Sequence, residues 1–271
     1  MIHSGDSRID AGDQRDGLSP MAALVRRHDR DRFQTALFAP PEAREALFAL
    51  YAFNYEVARI REIVREPMLG RIRLQWWREA IDAACSGGAV RAHPVVEAIT
   101  ATIRGRGLHR AALDRVIDAR ERDLDDAPHP DLAALETYAE GTAATVVDLA
   151  LDILRVDTPA AREAARHVGI AYGLAGMLRA LPFYAQRGRI LIADGVAVKA
   201  VAETGRGHLA AARSRRRDIP GAALPALLGA RIADRLFRTL EQAGFDPFAI
   251  AAESDPLQSW RLAFAAMRGR F

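Results

Sequence analysis

The chain reads as an all-α protein of 271 residues. Three observations predict this class. Apolar residues recur at helical spacing in segment after segment, and no period-two alternation is sustained anywhere. Two long alanine-rich stretches, Leu132 to Leu154 and Pro159 to Tyr184, also favour helix over strand. No internal repeat and no linker long enough to divide the chain stands out.

The elements follow in order. Residues 1–18 are polar, contain several aspartates and lack the apolar centre of a signal peptide, so they are expected to form a loose tail ahead of one domain over 19–271. Ser19-Pro20 supplies an N-cap and an N1 proline for a helix to about His28. Asp29 to Phe38 forms a second short helix, stopped at Pro40. Pro41 then opens a long helix with Glu42 and Glu45 near its positive end, followed by a turn near Pro67 and a further helix to Ala84. Ser86-Gly87-Gly88 is a break, His93 to Ile103 a helix stopped by Gly105 and Gly107, and His109 to Asp125 another helix. Beyond Gly188, ILIADGVAV reads as a turn or short extended piece. Helices resume at about Ala200 to Arg215, Pro220 to Ala243 and Pro256 to Met267.

Half the residues are hydrophobic, enough for one sizeable core. The formal charge is +3, but acids nearly balance bases and Lys199 is the only lysine, so charge alone does not point to nucleic acid. A single cysteine, Cys85, excludes an internal disulfide and fits a reducing compartment. No run of about 18 apolar residues appears, which predicts a soluble chain, peripheral to a membrane at most. The scattered histidines show no zinc-site spacing, and there is neither a nucleophile elbow nor a phosphate-cradling glycine loop.

The stretch from Pro41 to Ala84 carries the most information. At 100° per residue, Leu50, Phe53, Val57, Ile60 and Val64 form one apolar stripe. Beside it Leu47, Tyr51, Asn54, Ala58 and Glu62 form a mixed stripe, of the kind that can line a cavity. Trp76 and Trp77 are adjacent and cannot share a face, so one belongs to the core and the other lies nearer the surface. Gly169, Gly173, Gly176, Ala180 and Tyr184 also fall on one face. Glycine costs a helix interior about 1 kcal/mol against alanine, so this face implies close helix packing or volume left for an apolar ligand. Pro182 is expected to kink or end its helix near Arg179. The run Asp123-Leu124-Asp125-Asp126 reads as a solvated helix end or as partners for Arg120 and Arg122, with a metal site as the sharper alternative.

LYAFNYEVARIRE followed by LQWWREAID, then GIAYGLAGMLRALPFYAQRGRILI from Gly169 to Ile192, resembles the squalene/phytoene synthase family in order and separation. The resemblance runs from about Asp29 to at least Ile192. It implies an isoprenoid-synthase-like helical bundle around a central cavity. Catalytic relatives of that family carry aspartates at positions corresponding to Ala58, Arg59 and Glu62, and again at Ala180 and Tyr184. Only Glu62 remains acidic.

The family chemistry expels a diphosphate, with Mg²⁺ bridging its oxygens to carboxylates. One carboxylate cannot replace two clusters, so the departures argue against efficient ionisation and against a confident metal site. The resemblance leaves Tyr51, Asn54, Arg73, Arg179, Arg187 and Arg189 as candidate substrate-binding residues, since guanidinium can hold phosphate through paired hydrogen bonds. The competing reading of these arginines is ordinary ion pairing.

Two functions follow. Phe48 to Asn54 and Leu178 to Tyr184, with LRA and a proline where synthases have LRD, resemble a non-catalytic branch similar to mitochondrial respiratory complex I assembly factors. That branch implies partners among complex I subunits or assembly proteins and a place at the inner face of the respiratory membrane, in the cytoplasm or peripheral to its membrane. The alternative is a divergent Mg²⁺-dependent prenyl transferase joining two prenyl diphosphates head to head. Binding a prenyl diphosphate or apolar isoprenoid without turnover would join the two.

Overall fold

The computed structural model describes residues 17–250 and 257–271. Residues 1–16 of the expected tail and Pro256 of the expected last helix lie outside them. Helices α1 (Pro20–His28) and α2 (Arg30–Ala36) each begin on a side-chain cap: Ser19 Oγ accepts from Ala22 N at 3.1 Å, and Asp29 Oδ1 accepts from Arg32 N at 3.1 Å. Helix α3 spans Pro41–Ala58, shorter than the sequence predicts. The chain leaves the helix at Arg59 and resumes as the single turn α4, Ile60–Ile63. The predicted apolar stripe survives this break, for Leu50, Phe53, Val57, Ile60 and Val64 are all buried.

Helix α5 (Pro67–Ser86) ends on Gly87 and α6 (Pro94–Arg106) on Gly107, both glycines in the left-handed region that favours them at this position. Gly105 lies within α6 rather than stopping it. Trp77 is buried edge-on against Phe53, while Trp76 is half-buried beneath the Arg91 guanidinium, which divides the pair between core and surface as predicted. Helix α7 (Arg110–Glu121) closes in a 3-10 turn at Arg122–Leu124.

Helices α8 (Leu132–Ala139) and α9 (Thr145–Ile153) are joined without interruption by a π-helical segment, Glu140–Ala144. The 27-residue α10 (Pro159–Ala185) runs through the middle of the bundle, against α8, the π segment and α9 on one side. On another side it meets α11 (Val198–Ser214) and α13 (Gly229–Gln242), with the short α12 (Leu224–Leu227) between them in the chain. Helix α14 (Gln258–Met267) packs on α2. By length and composition α10 could cross a membrane, yet its buried apolar residues from Ala161 through Leu178 belong to the main core cluster.

Pro182 does not end α10 near Arg179, one of the two outcomes expected of it: the helix continues to Ala185. Lying three residues from that end, the proline removes one amide where few helical bonds remain to be lost. Among the described residues there is no strand. The piece after α10 makes one parallel bridge, in which His129 N donates to Leu191 O and Ala193 N donates to His129 O, both at 3.0 Å. This clips the loop after α7 to the chain leaving α10.

The glycine face of α10 does both things the sequence allows. A Cβ on Gly169 would lie 2.2 Å from Ala144 Cα, and one on Gly173 would lie 2.8 Å from Ala139 Cβ, so these glycines let two backbones meet. Gly176, one turn further on, has nothing within 4 Å of that position. It opens onto a cleft. Gly169→Ala should therefore destabilise the fold by about 1–3 kcal/mol through overpacking against backbone that cannot yield. Gly176→Ala should be neutral or stabilising by up to about 1 kcal/mol through helix propensity. Urea denaturation of both variants checks the pair, and equal effects would refute the assignment.

Candidate functional site

The cleft has a volume of about 400 Å³. Helix α10 forms its floor with Gly173, Gly176, Ala180 and Tyr184, and Thr142 and Ala143 of the π segment form one wall. Opposite stand His28, Asp31 and Arg32 from α1 and α2, with Arg120 of α7 and Tyr138 of α8 nearby. The π segment widens the helix where it meets this wall. Thr142 Oγ1 satisfies one displaced carbonyl by donating to Tyr138 O at 2.7 Å, and Thr145 Oγ1 another by donating to Glu140 O at 3.0 Å.

Each acid at the cleft already has a cation. Asp31 accepts from Arg179 Nη1 and from Gln258 Nε2, both at 2.8 Å. Burial alone would raise its pKa, but Arg179, Gln258 and Arg32 outweigh it and hold the carboxyl below its ordinary value. Asp29 binds Arg32 Nη1 at 2.7 Å, and the Arg32 guanidinium lies over the Tyr172 ring at 5.0 Å and the Tyr51 ring at 5.7 Å. Asp123 accepts from Tyr138 Oη at 2.6 Å and pairs with Arg120 at 3.3 Å, while Arg120 donates to Tyr138 Oη at 2.6 Å. Burial would lower the pKa of Arg120, yet Tyr138 and Asp123 hold it raised.

The phenols are pushed the other way. Burial, aided by Asp123 and opposed by Arg120, raises Tyr138 well above its ordinary value, and burial, Asp123 and Glu62 raise Tyr184 against the pull of Arg120. Tyr51 is pushed up to about 12, chiefly by burial. All three therefore stay protonated at neutral pH and act as hydrogen-bonding groups rather than bases.

Of the residues singled out from sequence, Arg179 lines the cleft, but its guanidinium is engaged with Asp31. Tyr51 lines a narrower pocket of about 20 Å³ beside it, with Arg32 and Tyr172. Asn54 is buried and its Oδ1 lacks a hydrogen-bond partner among the described residues. Glu62 is exposed and reaches the site only through its field on Tyr184. Arg73 is exposed and makes no ion pair among the described residues, neither with Glu79, which binds Arg91, nor with Glu62. Arg187 turns outward onto the Phe183 ring, 3.5 Å from its centroid, and donates to Phe183 O. Arg189 bridges the 123–126 run, donating to Asp123 O at 3.1 Å and Asp125 O at 3.3 Å and pairing with Asp126 at 3.5 Å.

That run is a set of ion-pair partners, as the plainer of its two readings expects: Asp123 with Arg120, Asp125 with Arg122, Asp126 with Arg61. Sequence inspection missed Asp31, whose partners Arg179 and Gln258 lie far along the chain, and Arg32, which packing sets over the rings of Tyr51 and Tyr172. It also missed the pairing of His167 Nδ1 with His208 Nδ1 at 2.8 Å, closed by Glu136 on His208 Nε2 at 2.8 Å. Spacing could not have shown it, since the two histidines sit on different helices.

The residues present do not fit Mg²⁺. Ala180 offers no ligand where the second acidic cluster would stand, Tyr184 is a neutral phenol, and the aspartates that face the cleft are held by guanidinium groups. Among the described residues no group of three or more His, Cys, Asp or Glu side chains is placed to hold a metal.

A long helical bundle whose central helix and cleft carry these motif positions is a squalene/phytoene synthase architecture, and the sequence matches that family over residues 25–194. The chain belongs to the squalene/phytoene synthase family. It is 32% identical over 268 residues to NADH dehydrogenase (ubiquinone) complex I, assembly factor 6 of Bos taurus, covering 88% of this chain and 80% of that protein. It is also 30% identical over 154 residues to presqualene diphosphate synthase of Rhodopseudomonas palustris, covering 56% of this chain and 54% of the synthase. Among solved structures, a dehydrosqualene synthase in complex with ligand superposes with a TM-score of 0.78 at 16% identity, over 95% of this chain and 97% of the other. The fold is that of the synthases.

Asp31 supplies a test of the ion-pair account. Its folded carboxyl titrates below the usual value of about 4, so the stability it contributes is present at neutral pH and is lost as pH falls through that lower value. Asp31→Asn should cost roughly 1–3 kcal/mol at pH 7. The difference from the parent should shrink below about pH 4 in denaturant titrations, and a pH-independent difference would contradict the pairing.

Proposed function

We propose that this chain is a non-catalytic member of its family that acts in the assembly of respiratory complex I by binding complex I subunits or assembly proteins. One observation carries the reading. At the motif positions where synthases need carboxylates for a metal, this chain has Ala58, Arg59, Ala180 and Tyr184, and its cleft acids are committed to arginines. Similarity to assembly factor 6 over most of both chains supports the partner class. The place of action we propose is the cytoplasm, at the inner face of the cytoplasmic membrane. The exposed free thiol of Cys85 fits that reducing side.

The cleft itself supports a second, compatible role: holding an apolar isoprenoid or prenyl diphosphate without turnover. Its volume persists, and Gly176, Met177 and Leu191 give it an apolar side. Fold likeness to a ligand-bound dehydrosqualene synthase is the reason to test that ligand class.

Deletion of the gene in its source organism should lower assembled complex I on native gels, with rescue by the parent chain and by Glu62→Ala. Purified chain given farnesyl or geranylgeranyl diphosphate with Mg²⁺, with and without NADPH, should yield no C30 or C40 hydrocarbon. A hydrocarbon product abolished by Glu62→Ala would instead establish a synthase with few ligands, and unchanged complex I in the deletion strain would end the assembly reading.

A further inference from the structure

Three titratable side chains meet away from the cleft, where α8, α10 and α11 come together. His167 Nδ1 of α10 lies 2.8 Å from His208 Nδ1 of α11, and His208 Nε2 lies 2.8 Å from Glu136 Oε1 of α8. The His208 side chain is 13% exposed and that of Glu136 35%, so the row is shielded yet within reach of protons from solvent.

The geometry fixes how many protons this row can hold. A carboxylate only accepts, so His208 Nε2 carries a hydrogen toward Glu136. Two imidazole nitrogens in contact need one donor and one acceptor, so a single hydrogen lies between the two Nδ1 atoms. His167 Nε2 can then be bare or protonated without disturbing either bond. A first added proton leaves the row intact, and Glu136 balances its charge. A second puts hydrogens on both Nδ1 atoms, and the contact has two donors, two charges and no acceptor.

Acids facing the pair from neighbouring elements are already committed. Glu163, also on α10, pairs with Arg215 at 3.1 Å, and Arg215 in turn lies 3.7 Å from Asp218 in the turn after α11. Glu140 of the π segment accepts from Arg166 at 2.5 Å, with Arg115 of α7 near it. Arg162 holds Asp148 and Asp152 of α9, while Arg213 and Arg206 hold Asp234 and Glu241 of α13. Glu136 is thus the acid left to the two histidines, and it can balance one charge. Burial, then His208 and Arg166, lowers the pKa of His167 against the pull of Glu163 and Glu140.

We propose that Glu136, His208 and His167 form a proton-operated clasp between α8, α11 and α10, closed while the imidazole pair carries one charge or none and released when both rings are charged. The clasp stands beside the contact that shapes the cleft. Glu136 lies three residues before Ala139, which meets Gly173, and on the same continuous helix as Thr142 and Ala143 of the cleft wall. Release frees the start of α8 and the second half of α11, while Gly169 and Gly173 still hold α10 to the π segment. The inference rests on no part of the proposed function.

The folded pKa of His167 lies below the ordinary 6.5, so the native chain takes up fewer protons than the unfolded one. Stability is therefore fully present above about pH 6.5 and is lost as pH falls below it. His28, His93 and His129 are also lowered by burial, so the readout is the difference between parent and variant. Asparagine at position 167 offers both a donor and an acceptor where Nδ1 stood, so the contact survives either charge state of His208. In urea titrations between about pH 7.5 and 5, the folding constant of the parent should fall more steeply than that of His167→Asn, approaching an extra tenfold per pH unit, the slope of one proton. Glu136→Gln keeps an acceptor but no charge, and should steepen the parent slope. Amide exchange, corrected for its intrinsic pH dependence, should quicken first in 132–139 and 206–214 of the full-length parent. Equal slopes in parent and His167→Asn would overturn the clasp, as would a Glu136→Gln slope no steeper than the parent's. So would nitrogen NMR showing both parent rings charged while exchange in α8 and α11 stays unchanged, a reading that needs no variant to fold.

Discussion

The close approach of α10 to the segment Ala139–Ala144 governs the rest of the structure. Gly169 and Gly173 bring two helix backbones together where any larger residue would force them apart. The partner segment is π-helical at that point, so its wider turn places Thr142 and Ala143 on the cleft wall. One turn along α10 the contact ends, and Gly176 faces open volume. Packing on one half of a glycine stripe thus creates the cavity on the other half. In this geometry the cleft is a consequence of how the core closes, and it does not require a ligand chemistry to maintain it.

Much of the fold was legible because its signals are local. Ser19, Gly87 and Gly107 sit at helix ends as caps, and the stripe from Leu50 to Val64 is buried throughout. The split between Trp76 and Trp77, and the pairing of the 123–126 run with Arg120 and Arg122, follow from spacing of one to four residues. The departures have a common cause. The break at Arg59 sits inside an uninterrupted apolar period, so periodicity runs across it. The continuation of α10 past Pro182 depends on how near the helix end lies, which local composition does not set. Asp31 with Arg179 and His167 with His208 are joined only by tertiary packing, and a sequence scan has no term for them.

The comparison between fold and site explains how a synthase architecture can persist without its metal ligands. Clustered carboxylates facing one another in a cleft need a cation to be stable, and a divalent metal is one solution. This chain reaches neutrality differently. It has alanine at positions 58 and 180, and its cleft aspartates have guanidinium partners: Arg32 for Asp29, Arg179 for Asp31 and Arg120 for Asp123. Such pairs satisfy hydrogen bonds as well as charge, so the polar cleft stays structured.

That substitution also fixes what the cleft can do. A guanidinium locked to a carboxylate is a poor receptor for diphosphate, because the incoming anion must displace a bond already made in a partly buried site. An isoprenoid held in this cleft would therefore be held chiefly through its apolar chain, along Gly176, Met177 and Leu191.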